Sequence, residues 1–131
     1  MVQEVSESTN LIAKSIVNAA FRVHQQLGPG LLESVYETCL VHELAAEGLE
    51  VQRQVLLPIH YNGIQIDAGL KLDLLVGGCV IVELKAVEKL LPIHEAQLLT
   101  YLKLADCHLG LLINFNVCLI KDGLRRLVRS R

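Results

Sequence analysis

Two apolar runs separated by a pair of glycines constrain this chain more than any other feature, because both runs carry charge. Leu70-Lys71-Leu72-Asp73-Leu74-Leu75-Val76 precedes Gly77-Gly78, and Val80-Ile81-Val82-Glu83-Leu84-Lys85-Ala86-Val87 follows it. Apolar runs of this length between turn signals read as buried strands. Asp73, Glu83 and Lys85 therefore fall where a lone charge would be costly, and each needs a partner or a metal ion.

The glycine pair marks a hairpin, and the length of its loop decides what the charges can do. With a three-residue loop centred on Gly78, Asp73 stands opposite Glu83 on one face, with Cβ atoms about 5 Å apart. Two carboxylates so placed can hold one divalent cation. With a loop of Gly77-Gly78 alone the pairing slips by one and Asp73 faces away, since side chains alternate with period two. Glu83 and Lys85 share a face in either register, which sets an ammonium beside the carboxylate, a sign pattern suited to hydrolysis of a phosphate ester. Hard carboxylate oxygens select Mg²⁺ or Mn²⁺, ions that keep several waters able to become nucleophiles. The backbone carbonyl of Leu84 is a candidate third ligand, and Lys85 would orient or help deprotonate the attacking water. The competing reading is a structural ion pair between Glu83 and Lys85 on a partly exposed sheet.

A chain of 131 residues without repeats or a Pro/Gly/Ser-rich linker is expected to form a single domain over 1–131. Its hydrophobic content of 52% with only 4% aromatic residues predicts a Leu/Val/Ile core, with some apolar surface left to cover a partner. No apolar run approaches a membrane span, and Met1-Val2-Gln3-Glu4 has neither the basic nor the apolar part of a signal peptide, so the cytoplasm is the expected compartment. Cys39, Cys79, Cys107 and Cys118 form no C-x-x-C pair and sit among apolar neighbours, which reads as buried thiols. Combined with His24, His42, His60, His94 and His108 they lack the short ligand spacing of a structural zinc site. The formal net charge of -2 argues against tight non-specific grip on duplex DNA. Arg125, Arg126, Arg129 and Arg131 form the one basic cluster, able to touch a phosphate backbone but equally a solvated end.

Periodicity predicts a helix from about Ser8 to Gln26, with Leu11, Ile12, Ile16, Ala19, Ala20, Val23 and Leu27 on one stripe. Gly28-Pro29-Gly30 ends it, and a second helix from Leu31 to Glu47 carries Leu32, Val35, Tyr36, Cys39, Leu40 and Leu44. Val51 to Tyr61 reads as one strand, with Asn62-Gly63 turning it into a partner that continues through Gly69 to the Asp73 strand as an antiparallel meander. Pro92 opens a third helix, Ile93 to Ala105, and Leu109 to Phe115 follows as a buried strand expected to lie parallel to its neighbour. Val117 to Val128 fits either an edge strand or a short helix.

Helical positions extend the charged constellation. Glu33 lies just after the Gly30 break at a helix N-terminus, where a carboxylate is favoured by the helix dipole alone. Gln97 and Tyr101 are four apart on the third helix, with His94 a turn earlier, so they share a face that either meets solvent or aims at a substrate phosphate. Asn114 and Asn116 read as loop residues that form turns rather than as ligands.

The order of a helix with Glu33, a strand with Asp73, a strand with Glu83-Leu84-Lys85 and a helix with Gln97-x-x-x-Tyr101 resembles the PD-(D/E)XK nuclease superfamily, most closely its RecB-like exonuclease branch. Gly30-Leu31-Leu32-Glu33-Ser34-Val35-Tyr36 is similar to the signature of the small GxxExxY proteins grouped with those nucleases, and the likeness runs from about Ala19 to Val128, including Leu111-Leu112-Ile113-Asn114-Phe115-Asn116. Leu72 stands where the superfamily pattern has proline, and Leu70 where many small relatives have an aromatic residue. The resemblance implies an α/β fold with a restriction-endonuclease-like core, a central mixed sheet flanked by helices. It implies a Mg²⁺- or Mn²⁺-dependent nuclease acting on DNA, with Asp73 and Glu83 as metal ligands and Lys85 as the catalytic lysine. Glu33 becomes an accessory acid, and Gln97 and Tyr101 orient substrate. With no second domain to clamp a duplex, a homodimer or a protein partner is also expected. The alternative is a binding or assembly module that keeps the nuclease fold without turnover.

Overall fold

The computed structural model describes residues 5–130, so Met1 to Glu4 and Arg131, the last of the basic cluster, lie outside the described residues. Two helices come first, α1 (Glu7–Leu27) and α2 (Glu33–Ala46), followed by strands β1 (Val51–Leu56), β2 (Ile59–Tyr61), β3 (Ile64–Ile66), β4 (Lys71–Val76) and β5 (Val80–Lys85). Helix α3 (Pro92–Ala105), strand β6 (Leu109–Asn114), a short 3₁₀ helix (Ile120–Gly123) and strand β7 (Leu124–Val128) complete the chain. Five strands form a mixed sheet in the order β1-β4-β5-β6-β7, parallel only between β5 and β6, as the α3 crossover predicts. Helices α1 and α2 cover one face, where Ile16, Ala20, Tyr36, Leu40, Leu74, Val82 and Leu111 share a core cluster. On the other, Leu98, Tyr101 and Leu102 of α3 pack with Leu72, Ile81 and Leu112. Gly110 lets α3 approach β6, because a Cβ there would press on the Leu98 side chain at 3.0 Å. Among the described residues no helix is long and apolar enough to cross a membrane.

The predicted hairpin forms with Leu74 opposite Val82 and Val76 opposite Val80, which leaves a three-residue loop, Gly77-Gly78-Cys79. Both glycines take positive φ, 61° and 69°, a conformation costly for most residues. This is the register that places Asp73 across from Glu83.

Other expectations need correction. The single strand over Val51 to Tyr61 is two strands in two sheets, and the meander is interrupted. β1 pairs antiparallel with β4, while β2 and β3 form a separate two-stranded hairpin between them. Pro58 explains the break, since it removes a ladder donor and restrains the residue before it. Helix α2 starts at Glu33 because Leu32 is still extended (φ -69°, ψ 146°). The apolar stripes are also displaced. Leu11 of α1 is 59% exposed and Leu32 before α2 is 73% exposed, whereas His24 and Glu37 are buried. Cys118 is exposed rather than buried. The ambiguous tail resolves into the 3₁₀ helix and an edge strand, β7, antiparallel to β6. Its arginines serve the fold: Arg129 bonds Asp106 at 2.7 Å, Arg126 bonds Asn10 and Arg125 bonds backbone carbonyls.

Candidate active site

The carboxylates of Asp73 and Glu83 meet where the β4–β5 ladder opens, and each replaces a backbone bond of the other strand. The Asp73 N–H donates to Glu83 Oε2 at 2.8 Å, and the Leu84 N–H donates to Asp73 Oδ2 at 2.8 Å. The exchange fixes both carboxylates between the strands. Among the described residues it leaves Asp73 Oδ1 and Glu83 Oε1 as the oxygens not held by a backbone N–H.

Burial dominates the electrostatics. Glu83 is buried, and desolvation followed by the charge of Asp73 pushes its pKa up to about 8, against the opposing Asp73 N–H and Lys85. Asp73 is raised by burial and by Glu37, while the Leu84 N–H, Lys85 and the nearby Gln54 amide lower it. Glu33 is raised by burial and by Asp73, and lowered by Lys85. Tyr101 is raised by burial, then by Glu83 and Asp73. Lys85 acts on all three acids, so its ammonium lies within electrostatic range of them, yet no salt bridge joins it to Glu83. The structural Glu83–Lys85 pair, the bland alternative, is therefore absent.

The structure thus brings Glu33, Asp73, Glu83, Lys85 and Tyr101 together. Gln97 lies one turn before Tyr101 on α3, exposed, and no hydrogen bond among the described residues ties it to the acids. His94 is a helix cap, its Nδ1 accepting from the Leu91 N–H at 2.9 Å. Asn114 is the last residue of β6 rather than a loop residue. It is buried, accepts from the Val87 N–H at 3.0 Å and donates to the Val87 carbonyl at 2.9 Å, latching the segment that follows Lys85. Tyr36, the tyrosine of the Gly30-to-Tyr36 segment, also holds the fold. Its hydroxyl donates to the Gly28 carbonyl at 2.6 Å and accepts from the Leu31 N–H at 3.1 Å, while its ring stacks on Phe115 with centroids 4.5 Å apart. That clamp sets the turn from which Glu33 enters the site.

Sequence reasoning missed Glu37, Arg53 and Gln54. Glu37 is buried on α2, one turn after Glu33, and both its oxygens are engaged: Arg53 Nη2 donates to Oε2 at 2.9 Å and Gln54 Nε2 to Oε1 at 2.8 Å. The i,i+4 spacing of Glu33 and Glu37 was a usable signal. Nothing local marks Arg53 or Gln54.

A buried and a half-buried carboxylate, each with an oxygen not held by a backbone N–H and each with a proton affinity raised chiefly by burial, match a hard divalent cation, which a proton replaces when none is bound. Among the described residues no three His, Cys, Asp or Glu side chains form a ready-made cage. A family model described as the PD-(D/E)XK nuclease superfamily matches residues 10–127, nearly the whole chain. No curated protein and no solved structure matches.

Proposed function

Because the chain belongs to the PD-(D/E)XK nuclease superfamily, we propose that it is a single-domain, cytoplasmic nuclease that hydrolyses phosphodiester bonds of DNA with Mg²⁺ or Mn²⁺. Within the superfamily we place it with the GxxExxY proteins of the RecB-like branch, on the strength of Gly30, Glu33 and Tyr36. The observation that carries the reading is the reciprocal bonding of Asp73 and Glu83 to each other's strands with Lys85 alongside.

In this reading Asp73 and Glu83 would hold the cation, with the Leu84 carbonyl as a candidate further ligand. The bound cation would supply charge stabilisation at the phosphoryl oxygens and a more acidic water. Lys85 orients the attacking water and offsets charge built in the transition state. Glu33, whose proton affinity is raised by burial beside Asp73, accepts or relays a proton at the rim. The Tyr101 hydroxyl stays protonated and donates to a substrate phosphate. Gln97 reaches the substrate from its exposed position one turn away.

Dependence on a second subunit or a protein partner is favoured by the β2–β3 hairpin. Cross-strand pairs Ile59–Ile66 and Tyr61–Ile64 share one face, yet Tyr61 is 61% and Ile64 57% exposed, and residues 54–66 carry no Asp, Glu, Lys or Arg. A two-stranded hairpin with a bare apolar face is marginal alone.

The test is cleavage of end-labelled single-stranded, duplex and flapped DNA and RNA with Mg²⁺ or Mn²⁺, comparing wild type with Lys85→Ala. DNA cleavage by wild type that is lost in the variant supports the reading. Equal cleavage by both overturns it, and no cleavage across the panel shifts the assignment to a non-catalytic or partner-dependent module.

A further inference from the structure

Three non-glycine residues among those described have positive φ: Gln54 (50°), Asn62 (47°) and Asp106 (53°). Asn62 sits in the Asn-Gly turn and Asp106 caps α3, both of residue types and in places where the left-handed conformation is ordinary. Gln54 is neither. It lies inside β1, where the ladder requires extended backbone, and the glutamine side chain gives no local compensation for the left-handed conformation. Backbone strain of this kind persists only where the surroundings enforce it, and it concentrates at functional sites.

The register locates the strain. Arg53 pairs with Leu74 and Val55 with Leu72, so Gln54 stands across from Asp73. The irregularity also reverses which face β1 presents. Arg53 reaches Glu37 on α2, whereas Val55 packs into the cluster beneath α3. On a regular strand Arg53 and Gln54, as consecutive residues, would point to opposite faces. Here both reach one carboxylate, Arg53 at Oε2 and Gln54 at Oε1. A carboxylate only accepts, so Gln54 must turn its NH₂ group and not its carbonyl toward Glu37. The same amide lies across the ladder from Asp73, close enough to lower the pKa of that carboxylate.

We propose that Gln54 is a positioning residue for Asp73, its strained backbone and its bond to Glu37 holding the amide NH₂ between the two carboxylates so that Asp73 keeps the orientation in which it binds the cation. The inference rests on the reading of Asp73 as a metal ligand. Leu84 N–H and the Gln54 amide together restrain the Asp73 carboxylate from two directions, β5 and β1. Glu37, neutralised by Arg53, dictates which end of the amide faces Asp73.

The experiment measures Mn²⁺ binding by titration calorimetry for wild type, Gln54→Asn and Gln54→Met, with far-UV circular dichroism and thermal unfolding in EDTA. Asparagine accepts the left-handed backbone but is too short to span Glu37 and Asp73. Methionine keeps the length and loses the amide. Both should remain folded and cooperative without metal while Mn²⁺ affinity falls on the order of ten- to a hundredfold, the usual effect of losing a group that orients a metal ligand. A folded variant that binds Mn²⁺ within twofold of wild type overturns the inference and leaves the metal site standing. Wild type that binds no Mn²⁺ sinks the metal-site reading itself, and the inference with it.

Discussion

Glu83→Gln should stabilise the metal-free protein, increasingly so as pH rises. Glu83 has a folded-state pKa of about 8 against an ordinary value of 4.5, raised first by burial and then by Asp73. Below pH 4.5 the carboxyl is protonated whether the chain is folded or not, and it contributes no penalty. Between 4.5 and 8 the folded state holds a proton that the unfolded chain has released, so stability falls as pH rises. Above about 8 the folded state must accept a buried anion beside Asp73, and the penalty stops growing. At about 1.4 kcal/mol per tenfold change in proton affinity, the full penalty is on the order of 5 kcal/mol, a large share of the 5–15 kcal/mol typical of a domain.

Glutamine mimics the protonated acid. Its carbonyl can still accept from the Asp73 N–H, the bond that Glu83 Oε2 makes at 2.8 Å. The stability difference between variant and wild type should therefore be near zero at pH 4.5, grow by about 1.4 kcal/mol per pH unit and level off past pH 8. Urea unfolding in EDTA from pH 4.5 to 9 measures it. A difference that is flat with pH, or that shrinks as pH rises, would falsify the claim that Glu83 is a strained buried acid. Saturating Mg²⁺ should stabilise wild type at pH 8 and leave Glu83→Gln unmoved, since the variant has lost a ligand.

Tyr36→Phe keeps the stack on Phe115 but strands the Leu31 N–H and the Gly28 carbonyl, so it should cost about 1–2 kcal/mol in thermal unfolding and lower cleavage beyond that loss, because Glu33 follows the turn. Unchanged stability would show the hydroxyl to be dispensable to that turn. Asn114→Ala removes the latch on Val87 and the bond from the Asn116 N–H and should cost about 2–4 kcal/mol. A loss under 1 kcal/mol in urea titration would mean that water satisfies those groups.

Much of the site was legible because its geometry follows from local rules. The glycine pair signals a hairpin but leaves two registers open; the structure takes the three-residue loop, with both glycines at positive φ, and that register brings Asp73 to Glu83. Helix α3 and the parallel β6 follow from Pro92 and the apolar run at Leu109–Asn114. The failures occur where non-local pairing overrides pattern. An apolar stripe assigns Leu32 and Val35 to the core and is silent on Glu37, yet Leu32 and Val35 are exposed and Glu37 is buried. Burying that acid is tolerable only because Arg53 and Gln54 arrive from β1, and no helical periodicity contains them. The left-handed backbone of Gln54 is likewise invisible, since glutamine is not a residue type that signals it. Pro58 did carry the signal that splits β1 from β2, but the apolar residues around it, Leu56, Leu57 and Ile59, read as one continuous strand.

The charge balance at the site shows why a cluster that burdens the protein without a cation would suit one that holds it. Glu33, Glu37, Asp73 and Glu83 converge with two cations, Lys85 and Arg53, so four negative charges against two positive leave a formal charge of -2 if every acid ionises. Such a site repels a phosphodiester. One route to relief is a proton on Glu83, which the raised pKa describes; it removes half the excess and supplies no electrophile. The other is a dication, which cancels the excess and strengthens each contact in a partly buried setting. A chain of net charge -2 has few spare cations with which to hold a nucleic acid backbone. In the proposed nuclease, attraction for a phosphate would therefore have to be generated at the site: a cation held by Asp73 and Glu83 would displace the proton of Glu83 and offset the charge that otherwise repels the substrate.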